Sequence, residues 1–395
     1  MSTTWTENNV IPIIDDFDVC VVGGGVAGVA AALASAREGA RTCIIEKEYA
    51  LGGLATLGLI VIYLPLCDGH GRQVIGGLSE KLLKASIKYA PGTLPECWND
   101  DSNIIDMESR KNHRYQTEFQ AAPFMIAMEE MILSAGIKIY YDSRFCDVHK
   151  TGHHIDGIII ENKSGRVGIG ARMIVDASGD ADVCYQAGEK TVSNSANVCT
   201  GWYFSNGSEG VKLHICTDPL RTKLPDGHRY YSGDRCEDVT QHAIDGRRMI
   251  MENLSKYKRD TDPGSYPLII PTYDGMRMTR RLSGLYTLDE SEAFTDFPDS
   301  IGMTGDWRKP GPVFSLPWRI LVGKENDNLA AAGRCISVSS AMWDITRVIP
   351  TAAVTGEAAG LGAALAAKKS VCLEDVDTKL LKEALMSYGV IIEKP

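Results

Sequence analysis

The segment DFDVCVVGGGVAGVAAALASAREGARTCIIEKEYALGG, residues 16–53, constrains this chain more than any other. It reads as strand, glycine turn, helix, second strand and acidic stop. Asp18 to Val22 is a short apolar run that suits a buried parallel strand. Gly23, Gly25 and Gly28 then fill the spacing G-x-G-x-x-G. Gly23 lets the chain turn sharply, Gly25 leaves room for a pyrophosphate against the backbone, and Gly28 lets helix and sheet approach closely. Ala27, Ala30, Ala31, Ala32 and Ala34 keep the helix tight to the sheet. Its N-terminus offers free N–H groups and a positive dipole end to phosphates. Gly39 is a helix stop, Thr42 to Ile45 is the second strand, and Glu46 ends it. A carboxylate roughly 20 residues beyond the glycines accepts hydrogen bonds from an adenosine ribose and repels a 2′-phosphate. A lone glycine motif is often only a turn. With both strands, the helix and Glu46 in register, a dinucleotide site is the stronger reading.

The chain has 395 residues, which is too long for one small core and suggests two or three structural units. A formal net charge of -10 argues against nucleic acid or an anionic membrane surface as the main partner. The 11 cysteines include no C-x-x-C pair, so neither a zinc site nor a disulfide framework is indicated, and no metal is expected. The opening MSTTWTENNV lacks the basic-then-apolar order of an export signal, and no apolar run approaches the roughly 20 residues of a membrane helix. The expectation is a cytoplasmic protein with a small-molecule substrate, in an oligomeric state left open.

Pro123 to Ser134 has helical spacing, with Phe124, Ile126, Met128, Met131 and Ile132 expected on the buried side. Leu78 to Tyr89 is a second helix, and residues 91–117 look like an excursion or lid. Three strand-like runs follow: 138–142 with 145–148, then 155–161 and 167–175, the last two joined as a hairpin through Lys163-Ser164-Gly165. That hairpin leads into DASGDADV, residues 176–183. From about 200 to 325 the texture changes, and the only long helix expected there is Glu237 to Asn253. Leu329 to Ala332 is again a buried strand, a Gly/Ala-rich helix should begin near Pro350, and Asp377 to Tyr388 closes the chain as a helix.

Three separated blocks point one way: VVGGGVAGVAAA with IIEKEYALGG, IVDASGDADV, and NLAAAGRCIS with TRVIPTAAVTGEAAGLGAALA. Together they resemble the FAD-dependent oxidoreductases with a glutathione-reductase-type FAD fold, distantly similar to fumarate reductase flavoproteins. The segments GMRMTRRLSGLYTLDESE and SLPWRILVGKENDNLAAAGR are also similar to that family's characteristic stretches. The resemblance implies an α/β fold. A Rossmann-like FAD-binding domain would span 15–60, 115–200 and 326–370, with a second α+β substrate or cap domain from 61–114 and 201–325. Residues 371–395 would form a C-terminal helix. It further implies that Gly23, Gly25, Val26, Ala27 and Gly28 cradle the FAD pyrophosphate, with Glu46 on the ribose and Lys47 beside the adenine. Gly52, Gly53, Ala55 and Thr56 would form a second loop along the cofactor. Phe145 and Cys146 would pass the adenine edge, Ala177, Ser178 and Gly179 would run under the cofactor, and Gly333 and Arg334 would flank its ribityl side.

Independently of the family, a helix N-terminus preceded by Arg347 and Val348 would favour the negative charge of a reduced flavin. Only one nucleotide fingerprint is present, so a disulfide-reductase arrangement is excluded and any electron donor or acceptor is left unknown.

Candidate substrate groups are fewer. His70, in Asp68-Gly69-His70, has the chemistry of a base for oxidising CH–OH or CH–NH, or is an exposed loop residue. Arg277, Arg280 and Arg281 suit a carboxylate, or pair with Asp289, Glu290 or Glu292. Ser339, Ser340, Trp343 and Asp344 precede Arg347, with Trp343 either stacking on substrate or packing. His153 and His154 make a poor metal pair because strand neighbours face opposite sides. The leading expectation is hydride transfer to or from a small polar molecule. The alternatives are a flavin-binding protein whose FAD is structural or sensing, and a tRNA-modifying flavoprotein, which the acidic charge disfavours.

Overall fold

The computed structural model describes residues 10–90, 92–99, 106–217 and 227–393. Along the chain, β1 (Ile13–Val22) runs into the Gly23 turn, α1 (Val26–Arg37) leaves it, and β2 (Thr42–Ile45) returns beside β1. Then come α2 (Gly77–Ser86), α3 (Ala121–Ser134), β3 (Lys138–Tyr140), β4 (Arg144–Thr151), β5 (His154–Asn162) and β6 (Gly165–Asp176). β3, β2, β1 and β6 are parallel neighbours, while β4, β5 and β6 form an antiparallel meander. β1 begins at Ile13, earlier than its apolar run, because its polar first half still pairs with Gly168 to Ala171 of β6.

The second half supplies β7 (Trp202–Gly207), β8 (Gly210–Ile215), α4 (Cys236–Asp260) and β9 (Tyr266–Ile269), with β7 central in a small antiparallel sheet. β10 (Arg280–Leu282) and a hairpin of β11 (Ser300–Gly305) and β12 (Val313–Pro317) follow. The chain then re-enters the main sheet as β13 (Leu329–Ala331), pairing with Ile174 to Asp176 of β6 where β5 has ended. The chain ends with α5 (Ser340–Thr346), α6 (Ile349–Lys369) and α7 (Thr378–Ser387). This is a mixed α/β protein with a Rossmann-like parallel core and a second antiparallel part.

Two details depart from the sequence reading. Ile126 is 55% exposed, because two residues along a helix is more than half a turn from Phe124 and Met128, which are buried. α4 continues past Asn253 to Asp260, its exposed last turn carrying Lys258 and Arg259, which favour a helix C-terminus. Within the expected excursion, Trp98 is buried and stacks on Tyr115 at 4.8 Å, so the described part is packed in place. Residues 100–105 of that stretch, residues 1–9 at the start and 218–226 of the second part lie outside the described residues.

All 11 cysteines are free. Among the described residues no group of three or more His, Cys, Asp or Glu side chains is placed to hold a metal ion. No single described helix is long and apolar enough to cross a membrane. α6 is buried along nearly its whole length.

Candidate functional site

α1 and α6 pack against each other at the closest distance backbones allow, and this creates the site. A Cβ on Gly356 would lie 2.1 Å from the Ala27 carbonyl oxygen, and one on Gly360 would lie 1.9 Å from that of Ala31. The buried Glu357 carboxylate accepts from Arg37 of α1 at 2.9 Å and from the Leu78 N–H at 2.7 Å. The N-termini of both helices therefore open on one cleft. Neither has a side-chain cap: Gly25 precedes α1 and Val348 precedes α6. Their first N–H groups are free to meet an anion.

The cleft holds about 1050 Å³ of empty space, part of it open to solvent. Gly23, Gly25, Val26 and Ala27 form its floor, Glu46 and Lys47 one end, and Arg347 and Ile349 part of another wall. A Cβ on Gly25 would meet no atom within 4 Å, so this glycine faces open space, whereas one on Gly28 would strike the Gly23 carbonyl oxygen at 1.8 Å. Gly28 is thus a packing residue beneath the turn. Gly23 itself has φ +105, a conformation that disfavours side chains. Gly52, Gly53 and Ala55 line the facing wall, and Gly52 pairs with Gly25. Thr56 is fully buried behind that loop, donating to the Leu51 carbonyl at 2.8 Å.

Glu46 is buried where β2 ends. Its Oε2 accepts from the Gly24 N–H at 2.6 Å and its Oε1 from the Glu48 N–H at 2.9 Å. Burial pushes its carboxyl above the usual range against these two donors. Lys47 places its ammonium 4.7 Å from the centre of the Tyr273 ring. Burial opposes its charge, yet Tyr273, Asp180 and Asp182 outweigh burial and hold its pKa above the ordinary value. Phe145 lines the cleft, but Cys146 does not; Ser143 and Arg144 stand there instead. Cys146 sits along β4 with its thiol toward the Arg144 carbonyl.

Ala177, Ser178 and Gly179 line the cleft after β6. Buried Asp176 fastens this loop, accepting from Ser178 Oγ at 2.6 Å and from the Cys184 N–H at 2.9 Å. Gly333 and Arg334 also line it, but the Arg334 guanidinium is engaged by the Gly179 carbonyl at 2.8 Å, by Asp180 and by the Met276 carbonyl. It therefore clamps the 276–280 segment onto the cleft loop. Arg347 lines the cleft with its guanidinium held by Asp344 at 2.7 and 3.0 Å. Val348 is buried as the residue preceding α6.

The substrate candidates separate clearly. His70 is exposed and lies outside the cleft wall; Asp68 accepts from its backbone N–H and from that of Arg72, not from the ring. No Asp–His base forms there, because the carboxylate is used to shape the glycine loop. Arg280 is committed to Asp182 at 2.6 Å and to the Asp180 carbonyl at 3.0 Å, and it stacks on Tyr185. Its partners are therefore not the acids at 289–292. Arg281 differs. It is 7% exposed, its Nε has no hydrogen-bond partner among the described residues, and its guanidinium reaches the Leu282 carbonyl at 3.5 Å. Burial pushes its guanidinium below the usual value. It lies over Trp343 at 5.5 Å from the ring centre, and the indole N–H donates to the Arg334 carbonyl at 2.6 Å. Trp343 is thus a buried packing residue, Ser339 caps α5, and Asp344 holds Arg347 and Arg308.

Sequence reasoning missed Tyr273 and Asp182 in the cleft wall. Asp182 stood in the DASGDADV block and had a signal. Tyr273 comes from a stretch whose only clue was its clustering of Pro, Gly, Asp and Tyr. Burial, then the charges of Asp180 and Asp176, push Asp182 up to about 6.

A parallel sheet, a glycine turn opening a helix, and an acid at the end of the next strand define a dinucleotide-binding protein of the Rossmann-like class. The model of the family "FAD dependent oxidoreductase" matches residues 18–201 and 200–385, and the chain belongs to that family. It is an oxidoreductase and FAD is its cofactor. Among solved structures, a flavoprotein/dehydrogenase from Cytophaga hutchinsonii matches 94% of this chain and 86% of its own, with TM-score 0.51 and 15% identity. CabE, an aromatic hydroxylase from angucycline biosynthesis, matches 95% of this chain and 69% of its own, with TM-score 0.51 and 14% identity. At such identities these likenesses bear on the fold alone.

The residues fit the cofactor. Open space over Gly25, two uncapped helix N-termini and the buried Glu46 carboxylate supply room, anion donors and a hydroxyl acceptor.

Proposed function

We propose that this protein transfers a hydride between FAD and a small polar organic molecule carrying an anionic group. The observation that carries the reading is Arg281, a buried guanidinium with no carboxylate partner among the described residues, two contacts from the cleft wall through Trp343 and Arg334. A buried charge left unpaired costs several kcal/mol, and an anion in the cleft would offset part of that cost through the field of Arg281, which stands behind the wall. When bound, FAD supplies the two-electron chemistry. The residues of the chain hold and polarise. The first turn of α6 and the Asp344-held Arg347 favour negative charge at their end of the cleft. Gly23 to Ala27 and Glu46 would hold the dinucleotide by phosphates and ribose, and Gly52 to Ala55 would close over it.

The reaction is a dehydrogenation or oxidation, or the reduction of an activated C=C bond. The test is anaerobic mixing of the holoenzyme with panels of hydroxy acids, amino acids and unsaturated acids. The flavin band at roughly 450 nm should bleach with a donor, or a chemically reduced enzyme should recolour with an acceptor. A panel that does neither, while neutral substrates do, overturns the anionic class; no response from either set overturns hydride transfer.

A further inference from the structure

Lys47 follows the acid at the end of β2, and both residues line the same end of the cleft. A half-buried ammonium needs contacts that offset the water it has lost. The two carboxylates near it are already engaged: Asp180 by Arg334 and Thr279, and Asp182 by Arg280. They lend Lys47 their field, but no ion pair holds it among the described residues. Its direct contact is aromatic. The Nζ lies 4.7 Å from the centre of the Tyr273 ring, inside the roughly 6 Å range of a cation–π contact.

Tyr273 comes from the second part of the chain, and its neighbours fix where its ring stands. The N–H groups of Thr272 and Tyr273 donate to the Leu57 carbonyl, just beyond the glycine loop of the facing wall. One residue on, Asp274 accepts from Nδ1 of the buried His242. A Cβ on Gly275 would lie 2.4 Å from Thr200 Oγ1, and the Met276 carbonyl is held by Arg334. Residues 272–276 are thus fastened along their length, with the tyrosine in the cleft wall. A cation held against a fixed ring loses less freedom on meeting a ligand than a loose lysine does.

We propose that Tyr273 is a positioning residue for the cofactor: its ring face aims the Lys47 ammonium at the adenosine half of FAD. Charge and place select that half. The Glu46 end of the cleft is the ribose end in a dinucleotide fold, and phosphate and ribose oxygens are the acceptors an ammonium needs. The second part of the chain thereby takes a share in holding a cofactor bound mainly by the Rossmann-like part. The inference rests on FAD as cofactor and is independent of the hydride-transfer reading, because its test reads affinity and not turnover.

The test is a double-mutant cycle on FAD affinity, read by fluorescence titration of the apoprotein. Tyr273→Leu should weaken FAD about threefold to tenfold, the size of a partly desolvated cation–π contact. Lys47→Met should weaken it at least as much, and adding Tyr273→Leu to it should change nothing further. Tyr273→Phe keeps the ring face and should bind FAD as the wild type does. A fluorinated phenylalanine ring at the same position keeps the size but loses the negative face, so it should match leucine without disturbing the fold. ADP, which carries the adenosine half alone, should compete with FAD, with a dissociation constant raised by the same factor in Tyr273→Leu. Additive losses in the double variant, full FAD affinity with the fluorinated ring, or an ADP dissociation constant unchanged by Tyr273→Leu would overturn the proposal. So would a failure of ADP to compete in the wild type.

Discussion

Gly25 and Gly28 stand three residues apart in one turn and do different work. Alanine at position 28 would press its Cβ against a backbone oxygen at 1.8 Å, which no rotamer change relieves. Gly28→Ala should destabilise the apoprotein by at least the usual overpacking cost of about 1–3 kcal/mol, read as a lower thermal midpoint. Gly25 has φ -64 and open space before it, so Gly25→Ala should fold normally and lose FAD affinity instead. Fluorescence titration of apoprotein with FAD checks the second claim, and unchanged affinity would show that the phosphates lie elsewhere. Asp182 gives a pH prediction. Its folded-state pKa of about 6 lies above the reference 3.8, so the native state keeps a proton that the unfolded chain has released. Stability therefore falls as pH rises from about 4 to 6 and is then flat for this group. Asp182→Asn should remove that slope from the thermal midpoint measured across this window. The residue types at these positions were legible; the identity of Asp182 as a strained acid was not, because its neighbours Asp180 and Asp176 act through space.

Helix α6 is where local preference and packing disagree. A glycine inside a helix is worse than alanine by roughly 0.5–1 kcal/mol, so Gly→Ala normally stabilises an exposed helix. At Gly360 the Cβ would lie 1.9 Å from the Ala31 carbonyl oxygen, and the sign should reverse. Gly360→Ala should lower the thermal midpoint and reduce flavin content together, because separating α6 from α1 parts the two helix N-termini. Retained flavin at a lowered midpoint would uncouple packing from the site. At the start of the same helix, Arg347→Ala should lower the flavin midpoint potential. A charge-assisted hydrogen bond of about 1.5–3 kcal/mol corresponds to roughly 30–60 mV for two electrons. Asp344→Asn should shift it the other way, since Asp344 partly neutralises the guanidinium. Potentiometric titration reads both. The boundaries of β2 and β13 were legible to within a residue, because each has a local apolar pattern and a local stop. The extension of α4 was not, since its last two turns have a polar surface without a breaking residue before Pro263.

Across the whole molecule the cleft draws its walls from residues 22–55, 143–145, 177–182, 273 and 332–352, so the cofactor joins distant parts of the chain. A ligand that binds only the folded state adds about 2.7 kcal/mol at a concentration one hundred times its dissociation constant. FAD should therefore raise the thermal midpoint by a few degrees, and this increment should be lost in Gly25→Ala.

By itself the sequence determined the strand–turn–helix–strand unit and its acid, because each depends on neighbours within a few residues and on backbone freedom at glycine. It also determined that α6 would be thin and buried. Only the tertiary structure decided which charged side chains are left over. Arg280 and Arg281 are adjacent in sequence and of one type, yet one meets Asp182 and the other meets no carboxylate among the described residues. On a strand, consecutive side chains point to opposite faces, so what each encounters is set by elements far along the chain. The same holds for His242 and Asp274, which approach each other only when α4 lies across residues 271–275.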